Sequence, residues 1–192
     1  ALLGALLLAA RLLDAFIDPL LGRLSDRLFA RSIRSVLVAG ILAAVALVAG
    51  FAGLFFPPVR QIEGLLAWAA AALVLTYTAY SLLSITHQSW GAMLGGNALM
   101  QSRVVAWREG MGLFGVVAAA TLPALLGLRS MVTVFALGLC AGWLAWRAAP
   151  RPVVAPVPAQ RDDVWQPWRS RAFRRLLLVF ALNGIASAVP AT

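Results

Sequence analysis

Arg11, Asp14 and Asp18 are ionisable residues inside one long apolar run. Their i, i+3, i+7 spacing puts all three on one face of a helix. Charge inside a membrane-length apolar run is costly, so such residues mark a functional site by default. Two carboxylates one turn apart suit two chemistries. As oxygen donors they can form part of a cage for a hard cation such as sodium. As close like charges they raise one pKa, which lets one of them carry a proton. Arg11 can neutralise the pair when the site is empty. Pro19 follows Asp18 and lacks an N–H, which frees a backbone carbonyl beside the acids. The blander reading is a static Arg11–Asp14 pair that holds helices together, with Asp18 near the membrane interface.

Further along, Tyr77, Tyr80 and His87 share a second apolar run. Tyr77 and Tyr80 stand one face-step apart and can contact a solute or pack between helices. His87 is the only histidine. It is suited to a proton relay or to interfacial hydrogen bonding beside Gln88 and Trp90. Asn183 is a further polar candidate with no stronger claim. Ser81 and Ser84 lie near His87, but no acid accompanies them, so no nucleophile–base set is formed and an enzyme is not expected. The glycines from Gly91 to Gly96 lack the Gly-Lys-Ser/Thr ending of a nucleotide loop. No cluster has transition-metal spacing.

The elements that carry these residues follow from composition. The chain has 192 residues, 62% of them apolar and 12% charged, with a mean hydropathy of +0.88. A soluble domain is about 45–50% apolar and about 25% charged. So much apolar surface requires lipid as solvent. The single Cys140 can form no internal disulfide. Spans are expected at 1–21, 36–56, 65–89, 110–128 and 131–146, and a sixth from 173 to 192. None shows strand alternation, so the fold class is all-α, a polytopic membrane helical bundle.

The formal charge is +9, and all sixteen basic residues are arginine. Arg23, Arg27, Arg31 and Arg34 load the first connection, 22–35. Arg60 alone serves the second, 57–64, with Glu63. Arg103 and Arg108 serve the third, 90–109, and Arg129 the fourth, 128–130. Arg147, Arg151, Arg161, Arg169 and Arg171 load the fifth. The alternation of rich and poor is the positive-inside pattern of a multi-pass protein in an inner or plasma membrane, with odd connections cytoplasmic. Spread over separate loops, this charge does not make a nucleic-acid surface.

Residues 147–172 hold five prolines and Asp162–Asp163, and are expected to be a cytoplasmic linker. The chain opens on Ala1 inside an apolar run and stops at Thr192 inside another. The arginine pattern calls for a helix before the first span. The sequence is therefore expected to be an interior piece of a two-half transporter, whose remaining helices are its partners along with lipid.

One motif goes further. Gly22-x-x-x-Asp26-Arg27, followed by Arg31 and Arg34, resembles the signature loop of the major facilitator superfamily. The longer string Arg11-x-x-Asp14-Ala15-x-x-Asp18-Pro19-x-x-Gly22-x-x-x-Asp26-Arg27 resembles the glycoside–pentoside–hexuronide:cation symporter family, the melibiose permease-like transporters. Trp90-Gly91-Ala92, Arg108-Glu109-Gly110-x-Gly112-Leu113 and Phe173-Arg174-Arg175-Leu176 with Asn183-Gly184 are similar to it too. The resemblance implies a major facilitator-like fold, with this chain covering roughly helices two to seven. It implies that Asp14 and Asp18, with Arg11 nearby, bind sodium, lithium or a proton. It implies a sugar contact at Arg108, whose other reading is a helix-mouth anchor.

It also implies that Gly22, Asp26, Arg27, Arg31 and Arg34 bias the two halves between inward- and outward-open states. The melibiose permease-like pattern has a fourth-helix aspartate. Here no acid lies between Leu65 and Trp90, and the region reads Ser84-Ile85-Thr86-His87-Gln88. That departure shifts the expectation from sodium and galactosides toward protons or another substrate. The expected function is ion-coupled symport of a sugar, glycoside or related polar solute, with no cofactor beyond sodium or a proton. The alternative is a non-transporting membrane sensor or scaffold of the same fold.

Overall fold

The computed structural model describes residues 2–152, 169–175 and 178–179, with side chains from Ile17 onward except that of Glu63. Much of the expected linker, Asn183 and most of the last span lie outside the described residues. The chain divides into Ala1–Ala155 and Pro156–Thr192. In the second unit residues 171–175 are helical, and Ser170 caps them. Its Oγ accepts from the Phe173 amide at 3.4 Å and its carbonyl from that of Arg174 at 3.2 Å.

The first unit has four helical elements: α1 Leu2–Arg31, α2 Ile33–Phe55, α3 Ile62–Met93 and α4 Ala98–Ala148. No strand occurs among the described residues. Among the described residues, three helices are long and apolar enough to cross a membrane: Ile33–Phe55, Gly64–Met93 and Ala98–Ala148. Their outer surfaces carry Trp107, Phe114 and Leu125 at 70% exposure or more. In water such a surface would aggregate; against lipid tails it is the expected surface.

The sequence places a connection at 22–35, yet α1 stays helical through Arg31. Its buried residues Leu21, Ser25 and Phe29 keep a four-residue step, which holds one face on the bundle. At 1.5 Å per residue, thirty residues run about 45 Å, longer than the ~30 Å hydrocarbon layer. The excess turns carry the exposed Arg23, Arg27 and Arg31. Only Ser32 separates α1 from α2, in an extended conformation. Its Oγ accepts from the Ser35 amide at 3.1 Å, and Ser35 Oγ donates back toward the Leu28 carbonyl at 3.1 Å. One donor of α2 and one carbonyl of α1 are thereby satisfied.

α2 buries Val36, Gly40, Ala43, Ala44, Leu47 and Gly50. Small residues along one face bring backbones close, which drives association where lipid removes the hydrophobic force. A Cβ at Gly40 would stand 2.7 Å from the Trp146 ring. In α3 the buried Thr86 hydroxyl donates to the Leu82 carbonyl at 2.7 Å, so it needs no outside partner. Gly95 and Gly96, at φ 73° and 91°, make the turn into α4. Left-handed backbone is open to glycine at little cost. Asn97 then caps α4 by accepting from the Met100 amide at 3.0 Å.

The sequence separates 110–128 from 131–146 by a three-residue connection. The structure makes that break at a single residue, Gly127, with φ 79° and ψ 168° inside α4. Fifty-one residues in a straight helix would run about 76 Å. Instead the two ends of α4 meet the same turn of α3. Val104 packs beside Gly91, and the Trp146 ring stands 5.6 Å from that of Trp90. α4 therefore doubles back at Gly127.

Aromatic packing gathers one end of the bundle. Phe29, Val36, Trp90 and Trp146 form a buried cluster. Trp90 Nε1 donates to the Pro150 carbonyl at 3.0 Å, and Trp143 Nε1 to that of Leu37 at 3.1 Å. The C-terminal ends of α1, α3 and α4 thus meet at one end, the end that also carries Arg23, Arg27, Arg31 and Arg147.

Candidate functional site

A cleft of about 690 Å³ opens between α2, α3 and both arms of α4. Each wall is one face of a helix. α2 supplies Ala44, Leu47 and Phe51; α3 supplies Thr76, Tyr77, Tyr80, Leu83, Ser84, His87 and Gln88. The first arm of α4 adds Arg108, Glu109 and Gly112, and the second adds Phe135, Gly138, Leu139, Gly142, Trp143 and Trp146. Steps of three and four recur in every wall, as a face of period 3.6 demands. A mostly apolar cleft of this size with a few converging polar groups is the usual form of a small-molecule site.

Its polarity is graded along α3. Thr76 to Gln88 is about 18 Å of helix. At the far end stand Phe51 and Phe135, ring centroids 4.7 Å apart. At the arginine-rich end stand Ser84, His87 and Gln88. Val104 is level with Gly91, so Arg108, one turn along the opposing arm, comes level with His87. Arg108 Nη2 and Nε lie 2.7 and 3.2 Å from one oxygen of Glu109. Below this ring the cleft is floored by Trp146, whose ring meets that of His87 edge-on at 5.3 Å. Trp146 Nε1 is buried and has no hydrogen-bond partner among the described residues. Arg147 stands over the Trp143 ring at 5.8 Å.

The residues the sequence offers as weak substrate contacts, Arg108, Tyr77, Tyr80 and His87, thus share one cleft. Glu109, Gln88 and the aromatics Phe51, Phe135, Trp143 and Trp146 join them. Sequence reasoning does not place these in the site. Their only signal is the i, i+3, i+7 recurrence of large and small residues, which any packed helix shows.

Arg11, Asp14 and Asp18 belong to α1. The side chains of Arg11 and Asp14 are outside those described, and no described α1 residue lines the cleft. Steps of 3 and 4 along α1 from Arg11 lead to Asp14, Asp18, Leu21 and Ser25. The charged face is therefore continuous with the face whose Leu21, Ser25 and Phe29 are buried against the bundle. By helical spacing alone the Arg11, Asp14 and Asp18 positions fall in register with that face, the seam along which α1 packs. Asp18 itself is exposed, and among the described side chains none pairs with it. Among the described residues, no three His, Cys, Asp or Glu side chains cluster as a metal site.

The Gly22–Arg34 stretch is helix, cap and helix. Asp26, Arg27, Arg31 and Arg34 are exposed, and Ser25 between them is fully buried. No ion pair joins Asp26 to these arginines among the described side chains.

No curated protein and no solved structure matches the chain. The family models are decisive: residues 1–191 match the one described as MFS/sugar transport protein, and the chain belongs to that family.

Proposed function

We propose that this protein is an ion-coupled symporter that moves a sugar, glycoside or related polar solute by alternating access, with the coupling ion held at Asp14 and Asp18. Family membership makes it a secondary transporter of the sugar-transport class and a membrane protein. Ion coupling and co-directional movement are the further step.

The observation that carries the reading is the convergence of Tyr80, Ser84, His87, Gln88, Arg108 and Glu109 in one cleft. Sugars are bound by planar polar groups over their hydroxyls and by aromatic faces under their ring C–H groups. Both are present, with Trp143 and Trp146 at the floor. The cleft takes the solute, and the seam of α1 takes sodium or a proton. No other cofactor is needed.

α3 is the shared element. One of its faces forms the polar wall of the cleft, and α1 packs on another. An ion that changes how α1 seats on α3 changes the cleft, and by linkage the solute changes ion affinity equally. Asp26, Arg27, Arg31 and Arg34 lie at the arginine-rich end, where such a movement would open or close an entrance. That end is cytoplasmic in an inner or plasma membrane by the positive-inside rule.

The test is uptake of sugars and glycosides by proteoliposomes holding the full-length protein, under imposed sodium and proton gradients in turn. Uptake driven by one gradient, and uncoupled by Asp14→Asn or Asp18→Asn, supports the reading and identifies the ion. Gradient-driven uptake that survives both substitutions makes the aspartates structural. Absence of uptake across the panel removes the sugar assignment.

A further inference from the structure

We infer that Glu109 is a specificity-determining residue: it holds the charge of Arg108 within the cleft and so selects neutral sugars over hexuronates. The inference rests on the proposed sugar cleft and names the class of sugar that cleft takes.

Among the described residues, Arg108 and Glu109 are the only ones lining the cleft with a formal charge at neutral pH when His87 is neutral. Both arginine contacts go to the same carboxylate oxygen, at 2.7 and 3.2 Å. Helix geometry does not impose this. Adjacent residues point about 100° apart and do not face each other. Here the two side chains turn into the same space between the arms of α4. The remaining polar lining is neutral: Thr76, Tyr77, Tyr80, Ser84 and Gln88 with His87.

A neutral pair and neutral donors suit hydroxyl groups. A carboxylate entering this cleft finds its one strong cation already matched. The remaining N–H groups of Arg108 are reached only beside Glu109, whose negative charge meets the incoming anion. That like-charge contact opposes binding of the anion. Rejection thus comes from a repulsive element, which is how specificity is commonly made. The exposure of the pair, 39% and 66% for the two side chains, keeps its contribution to folding small. Glu109 can therefore be changed without loss of the fold.

The experiment measures binding and uptake of matched methyl hexosides and methyl hexuronosides, in the gluco and galacto series, by the full-length protein in proteoliposomes. Wild type is expected to take the neutral member of a pair. Glu109→Gln is expected to shift the Kd ratio about tenfold or more toward the hexuronoside, because a bare guanidinium now meets the carboxylate. Glu109→Asp keeps the charge and is expected to keep the wild-type preference. The double change Arg108→Gln with Glu109→Gln is expected to lose the gain for the anion. A wild type that prefers the hexuronoside overturns the inference and leaves the sugar reading standing. So does a Glu109→Gln protein that binds with an unchanged ratio. A wild type that takes neither member of any pair overturns the sugar reading, and this inference with it.

Discussion

Arg11, Asp14 and Asp18 are strung along one face of one helix, whereas the polar residues of the cleft come from α3 and the first arm of α4, and its aromatic walls from α2 and the second arm. The first group is held by periodicity alone. The second exists only when the Gly95–Gly96 turn sets Arg108 and Glu109 opposite His87 and α4 folds back at Gly127 to bring Trp143 and Trp146 into the same cleft. A charged seam on one helix can be altered by sliding that helix. A cleft with three helices around it changes when their packing changes. Under the proposed function the two regions have different tasks, ion binding on α1 and solute binding in the cleft.

The sharpest way to break this division is to neutralise the seam. Asp14→Asn and Asp18→Asn are each expected to abolish gradient-driven accumulation while leaving solute binding in the cleft within a few fold. Accumulation assays run beside equilibrium binding on the same preparations measure both. Loss of binding in step with coupling would merge the two regions into one site.

The reciprocal change comes next. Arg108→Gln removes a charged hydrogen-bond donor from the cleft. Such bonds contribute about 1.5–3 kcal/mol, so a tenfold to hundredfold rise in solute Kd is expected. The ion dependence of the remaining binding should be unaltered. Titration calorimetry at several ion concentrations separates affinity from linkage.

A packing change sharpens the cleft side alone. Gly40→Ala forces a methyl against the Trp146 ring, where no space exists. Overpacking of this kind costs about 1–3 kcal/mol, read as a lower thermal midpoint in detergent. Because Trp146 floors the cleft, solute binding should weaken as well. Gly127→Ala should destabilise by about 1–3 kcal/mol, because φ 79° with ψ 168° is a backbone region essentially confined to glycine. The cost arises from strain rather than crowding, since nothing stands within 4 Å of a Cβ there.

The smallest effect expected is that of Tyr80→Phe. Tyr80 lines the cleft and is 57% exposed. Loss of one neutral hydroxyl contact is worth about 1 kcal/mol, or about fivefold in Kd. No change at all would make Tyr80 a wall residue only.

Much of this molecule is legible in its residues alone. Apolar content, arginine placement and the absence of alternation determine an all-helical membrane protein, because lipid leaves backbone amides no other partner. The i, i+3, i+7 spacing of Arg11, Asp14 and Asp18 determines a charged face, because one helix carries all three. Tertiary structure decided the rest. The helical run of α1 beyond Leu21 depends on Leu21, Ser25 and Phe29 burying against neighbours, and propensity alone cannot report that. The pairing of Arg108 with Glu109 inside a cleft also holding His87, Phe51 and Trp146 joins residues up to 95 positions apart. Spacing along a chain constrains one helix at a time. Which faces meet is set by close packing among small residues and aromatic rings, and that depends on the helices together.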